Sequence, residues 1–158
     1  MGLRKTATLL AMAAMLVMPN LLHAAGAVDV SADSFESIDA EHKTIFRGNV
    51  VAIRPTDTTK ADEMTITSGD EKQADGTTKN VTKLVECKGN VAITTKAATI
   101  TGDVCKLDVQ RDKLVVSGAI VTLTQGSTVL KGKQLDVDLK TNHIQMTGGR
   151  VNGNFVPN

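Results

Sequence analysis

The chain has 158 residues, a formal net charge of +1, and 2% aromatic residues with no Trp or Tyr. The length suits a single domain. Balanced charge and a shortage of rings argue against a nucleic-acid partner, because counterion release needs a basic surface and single-stranded bases need stacking platforms.

Arg4 and Lys5 precede an apolar, alanine-rich stretch from Thr6 to Met18; Pro19-Asn20 interrupts it, and Ala25-Gly26-Ala27 has the small-x-small pattern of a cleavage site. The stretch is shorter than the roughly 20 residues that span a bilayer as a helix. Residues 1–27 are therefore expected to be a cleaved secretory signal peptide and residues 28–158 one exported domain, an uncleaved anchor being the alternative. Removing Arg4 and Lys5 leaves 16 of the 18 basic residues against 17 acidic ones, so the exported form is slightly acidic.

The first predicted strand runs from Val28 to Ile38, with apolar Val28, Val30, Phe35 and Ile38. Asp39 to Lys43 forms a polar turn, Thr44 to Ile53 returns, and Arg54-Pro55 ends the return because proline cannot donate to a ladder. A second copy opens at Lys60-Ala61-Asp62. Its loop, Ser68 to Lys79, is rich in Gly, Asp and Lys and is expected to be a mobile excursion. Strands follow at Val81 to Thr94, Ala98 to Val109, Leu114 to Thr124, Val129 to Leu139 and Ile144 to Val151, separated by polar turns. Even spacing of short alternating strands predicts an all-β sandwich, roll or barrel.

The strands repeat. Asp33 precedes Gly48 by 15 residues, as Asp103 precedes Gly118 and Lys133 precedes Gly148; Asp62 precedes Gly89 by 27, and the Ser68–Lys79 insertion accounts for the difference. The period is about 30 residues, in four copies, as in stacked units that cannot bury their apolar faces alone. Two residues after each opening stand Phe35, Met64, Cys105 and Leu135. Two residues before each glycine stand Phe46, Cys87, Val116 and Met146. All are apolar, with mostly polar neighbours, so each strand should bury one face. The closing glycines, in Gly48-Asn49-Val50, Gly89-Asn90-Val91, Gly118-Ala119-Ile120 and Gly148-Gly149-Arg150-Val151, predict bulges or bends. With the first strand starting next to the expected cleavage site, no spare polar cap is expected at either end of the stack. The edges are then either shielded or used for strand addition with another copy or a related protein.

Cys87 and Cys105 lie 18 residues apart about Lys96 and would face each other across a simple hairpin. A disulfide is one reading; two small buried hydrophobes are the other. His23 falls in the leader, while His42 and His143 are placed at equivalent turn positions, and no cluster has metal-ligand spacing. Asp33, Asp62 and Asp103 recur, but Lys133 in the fourth copy makes a cation ladder a poor reading. Each is expected to bond its own turn or the start of its strand. No nucleophile elbow, phosphate loop or paired-carboxylate motif is present, so the chain is read as a non-enzyme without metal or cofactor.

Rungs of the form ADEMTIT, GDVCKLDV and GKQLDVDLKTNHIQMTG, with the recurring Gly-Asn-Val, resemble the LptA/OstA family of lipopolysaccharide export proteins from Val30 to about Val151. The resemblance implies a twisted, semi-open β-jellyroll of stacked antiparallel strands in the periplasm. It also implies binding of lipopolysaccharide through lipid A, head-to-tail self-association by edge-strand pairing, and contacts with LptC-like inner-membrane and LptD-like outer-membrane jellyroll domains. Phe35, Phe46, Val50, Met64, Ile66, Val91, Ile93, Leu107, Val116, Ile120, Leu135, Val137 and Met146 are the candidate interior lining for the acyl chains. Arg54, Lys60, Lys83, Lys96 and Lys131 are candidate contacts for phosphates or core sugars, or else ordinary surface charge. An anchored LptC-like component and a dry β-repeat scaffold without a lipid ligand are the competing readings.

Overall fold

A computed structural model of the chain describes residues 28–156; the expected signal peptide lies outside them. Ten strands form one antiparallel sheet: β1 (Asp29–Ser31), β2 (Ser34–Ile38), β3 (Lys43–Ile53), β4 (Asp57–Lys72), β5 (Thr78–Thr95), β6 (Thr99–Asp108), β7 (Lys113–Gln125), β8 (Thr128–Asp138), β9 (His143–Thr147) and β10 (Asn152–Asn154). The order is β1-β3-β4-β5-β6-β7-β8-β10, with β2 also on β3 and β9 also on β8. The sheet is a meander that does not close on itself. One edge carries β1 and β2, the other β9 and β10.

The β2–β3, β6–β7 and β8–β9 hairpins each turn at a left-handed residue. His42, Asp112 and Asn142 have φ of 51°, 53° and 56°. Asn142, and not His143, is thus the equivalent of His42. His143 opens β9 opposite Asp138, as Lys43 opens β3 opposite Ile38, and the two histidines are one position out of register. The long insertion is also a correction. Ser68–Lys72 pairs with Thr78–Thr82 as a continuation of β4 and β5, because its threonines and lysines sustain a two-stranded ladder up to the turn at Gly76.

The long strands are broken midway by register shifts that line up across the sheet: Arg47/Val50, Lys60/Glu63, Lys88/Val91, Thr101/Val104 and Ser117/Val121. At three of them an aspartate from the neighbouring strand or loop lies over the glycine. Asn49 Nδ2 donates to Asp33 Oδ2 (2.9 Å), Asn90 Nδ2 donates to Asp62 Oδ2 (2.8 Å), and the Ala119 N–H donates to Asp103 Oδ2 (2.8 Å). The bonds cross to the next bulge and do not close a local turn. Gly48 and Asn49 (φ 79° and 48°), like Gly89 and Asn90 (77° and 48°), both sit in the left-handed region, which asparagine tolerates better than other side chains. These bulges make a fold line. Inner-face residues on both sides of it join one buried cluster, so the sheet covers its own apolar face.

Candidate functional site

The inner face consists of rows that cross the sheet from edge to edge. The register places Phe35, Phe46, Met64, Cys87, Cys105, Val116, Leu135 and Met146 side by side on successive strands. Those residues stand at the repeat positions picked out by the 15-residue spacing. A parallel row in the same half holds Ile66, Val85, Leu107, Leu114, Val137 and Ile144. Beyond the fold line run Val30, Ala52, Thr59, Ile93, Ile100, Leu123, Leu130 and Gly153. Against the fold line lie Val50, Ala61, Val91, Gly102, Val121 and Gly132.

All the interior candidates except Ile120 lie on this face. Val50, Met64, Val91, Ile93, Val116, Leu135 and Val137 are buried, while Phe46, Ile66, Leu107 and Met146 pack against them partly exposed. Phe35, paired with Phe46 at 6.4 Å between ring centroids, is 72% exposed because nothing covers the sheet at its edge. Ile120 is the correction: it is 65% exposed, and Val121, fully buried, takes the place of Val50 and Val91. Gly118-Ala119 lacks the left-handed pair that Gly-Asn supplies, so the bulge spends one more residue and the side chains after it on β7 change face. Leu114, Leu123 and Ile100 are further buried members that the repeat spacing did not single out, although simple alternation along β6 and β7 marks them.

The middle of the interior is filled by its own aliphatic side chains, and openness is confined to the edges. At the first edge Val28, Phe35 and Ile53 are exposed; at the second, Ile144, Val151, Phe155 and Val156. A recess of about 310 Å³ lies beside the turn containing His42 among largely polar residues, and one of about 440 Å³ lies beside His143 at the start of β9, where Leu114 and Val137 of the second inner row share its lining with Lys113, Asp136, Asp138 and Gln145. Cys87 and Cys105 are direct cross-strand partners at the centre of their row, with Cα atoms 4.8 Å apart, and the structure joins them as a disulfide.

The charged side chains lie off the inner face. On the outer face Arg47 bridges Glu36 (2.8 Å) and Glu63 (3.1 Å), and Arg54 clamps Asp57 with two bonds of 2.8 and 2.6 Å. Arg54 is thereby already neutralised, and Lys83 lies 3.9 Å from Glu71. Among the described residues Lys60, Lys96 and Lys131 form no salt bridge. The Asp138 carboxyl is held well below the usual carboxylate range, first by the Lys113 ammonium that donates to it and then by the backbone N–H groups of Thr141 and Lys140. Among the described residues there is no group of three or more His, Cys, Asp and Glu that could hold a metal ion. Nor is any helix there long and apolar enough to cross a membrane.

Comparison with known proteins agrees with this geometry. A protein from Rhizobium meliloti (strain 1021) carrying only the description uncharacterized protein R00383 is 30% identical over 128 residues, covering 78% of this chain and 68% of that protein. Among solved structures the fold is similar to LptH, described as the LptA-homologous periplasmic component of the lipopolysaccharide transport device of Pseudomonas aeruginosa. The TM-score is 0.68 at 16% identity, over 83% of this chain and 96% of that one. The family model described as LptA/(LptD N-terminal domain) LPS transport protein matches residues 29–143, and the chain belongs to that family.

Proposed function

We propose that the exported chain is a periplasmic carrier that binds lipopolysaccharide by its acyl chains and forms part of a bridge between the inner and outer membranes. The observation that carries this reading is an unclosed sheet in which one apolar row, Phe35 to Met146, runs from one edge to the other and whose two edges expose apolar side chains. Exposing an acyl chain of about twelve carbons to water costs on the order of 9 kcal/mol at roughly 0.8 per methylene, and a lipid A carries several. A carrier must therefore keep the chains covered. The bound chains part the two half-sheets along the fold line and lie on the rows through Phe46, Leu107, Val116 and Met146.

The unpaired edges supply the joints. β1 and β2 of one copy add to β9 and β10 of the next, and the terminal copies add in the same way to LptC-like and LptD-like jellyroll domains. No chemical step is assigned to the protein, whose work is binding and transfer. The test is photo-crosslinking from Val116 or Leu107 in cells, alongside purification of the exported form. An adduct with lipopolysaccharide and its copurification are expected. A dry core that gives no adduct at either position would leave a structural scaffold as the better account.

A further inference from the structure

The two edges of the inner face are built differently. At the first edge Phe35 lies on the inner face beside Phe46, 72% exposed. At the second edge the inner face carries glycines, Gly132 on β8 and Gly153 on β10. A Cβ added to Gly153 meets Phe155 Cε2 at 2.7 Å and Leu130 Cδ2 at 2.8 Å; one added to Gly132 meets Met146 Cγ at 2.7 Å and Sδ at 2.9 Å. The space that the glycines leave is occupied by Phe155 and Met146.

Phe155 follows Gly153 by two residues, so it lies on the same face, and its ring extends the row of Ile100, Leu123 and Leu130 to the edge. It stands just beyond the last strand, outside any ladder, and is 66% exposed. The ring is thus held by about a third of its surface. For a phenylalanine of about 200 Å², that is worth roughly a tenfold factor in an opening equilibrium.

We infer that Phe155 is a movable stopper. On Gly153 and Leu130 it occupies the seat that an acyl chain takes on reaching the β10 edge, and a chain passes there only after the ring has swung off. The seat is apolar and one ring wide, which suits a hydrocarbon tail and not a sugar. The inference rests on the carrier reading above, because a dry scaffold has nothing to stop.

The absence of Trp and Tyr makes the test direct. Phe155→Trp introduces a single indole; adding purified lipopolysaccharide to this variant is expected to red-shift its emission and raise acrylamide quenching several-fold. Phe155→Ala, loaded with lipopolysaccharide, is expected to pass it to wild-type acceptor protein about tenfold faster, while Phe155→Leu, which keeps an apolar cover, stays near the wild-type rate. If the wild type binds lipopolysaccharide, then either an unmoved indole or an unchanged transfer rate in the Ala variant overturns the stopper and leaves the carrier intact. If the wild type takes up no lipopolysaccharide, the carrier reading and the stopper fall together.

Discussion

Replacing Gly89 with alanine tests whether the fold line depends on the aspartate packed over its glycines. The backbone there has φ +77°, and a new Cβ would meet Asp62 Oδ2, with Asp62 Cγ at 2.8 Å and Cβ at 2.9 Å. The carboxylate end could rotate away, but the Asp62 Cβ is tied to its backbone, so the strands must separate and the Asn90–Asp62 hydrogen bond is lost. The left-handed conformation costs about 1 kcal/mol, the hydrogen bond about 1, and the overpacking at least about 1, for a total near 3 kcal/mol. Gly76, in the turn between β4 and β5, has φ +84° with nothing within 4 Å of an added Cβ. Gly76→Ala therefore costs only the conformational share, about 1 kcal/mol. Thermal unfolding followed by circular dichroism should show a loss of about 12 °C for Gly89→Ala against about 4 °C for Gly76→Ala, at roughly 4 °C per kcal/mol for a domain of this size. Equal losses in the two variants would show that conformation alone sets the cost and that the aspartate contact contributes nothing.

Three further outcomes follow from the same structure. Val121→Ala should cost about 2 to 3 kcal/mol because that side chain is fully buried, whereas Ile120→Ala, 65% exposed, should stay within about 0.5; a reversal in chemical denaturation would restore the register in which Ile120 faces inward. Reducing the Cys87–Cys105 bond, whose cysteines lie 18 residues apart, should lower stability by about 3 kcal/mol on the loop-entropy estimate, read as a lower unfolding midpoint in dithiothreitol than in oxidised buffer. Asp138 is depressed in the folded state, so its share of stability is complete above the unfolded value of about 3.9 and drains away as pH falls toward the folded one. The melting-temperature gap between wild type and Asp138→Asn should accordingly narrow steadily below about pH 4, and a gap constant with pH would remove the Lys113 contact from the account.

Much of the inner face was legible in the sequence because period-two alternation and a recurring glycine are both local signals. Positions two residues inside each opening and closing residue fell into a single cross-sheet row, Phe35 to Met146. What escaped depended on backbone choices that composition does not display. Gly118-Ala119 takes a wider bulge than Gly48-Asn49, which moved the inward register from Ile120 to Val121. Ser68–Lys79 reads as a loop by composition, yet its threonines pair across a hairpin. The exposure of Phe35 was hidden for another reason: alternation reports which face a side chain is on, and only the sheet order reports that this face is uncovered at β2. The stopper was hidden too, since a glycine two residues before a phenylalanine acquires meaning only when the ring is found lying on it.

The meandering strand order bears on how the molecule comes into being. Each strand finds its partner one or two elements away in the chain, so β3 completes β1 and β2 without waiting for anything later, and every following ribbon docks on one already in place. A nascent polypeptide emerging amino end first can therefore lay the sheet down progressively, with no distant segment to retrieve. The growth front is always a freshly made, unsatisfied margin, and the interval before the next ribbon arrives is when mispairing with a stray neighbour is most dangerous.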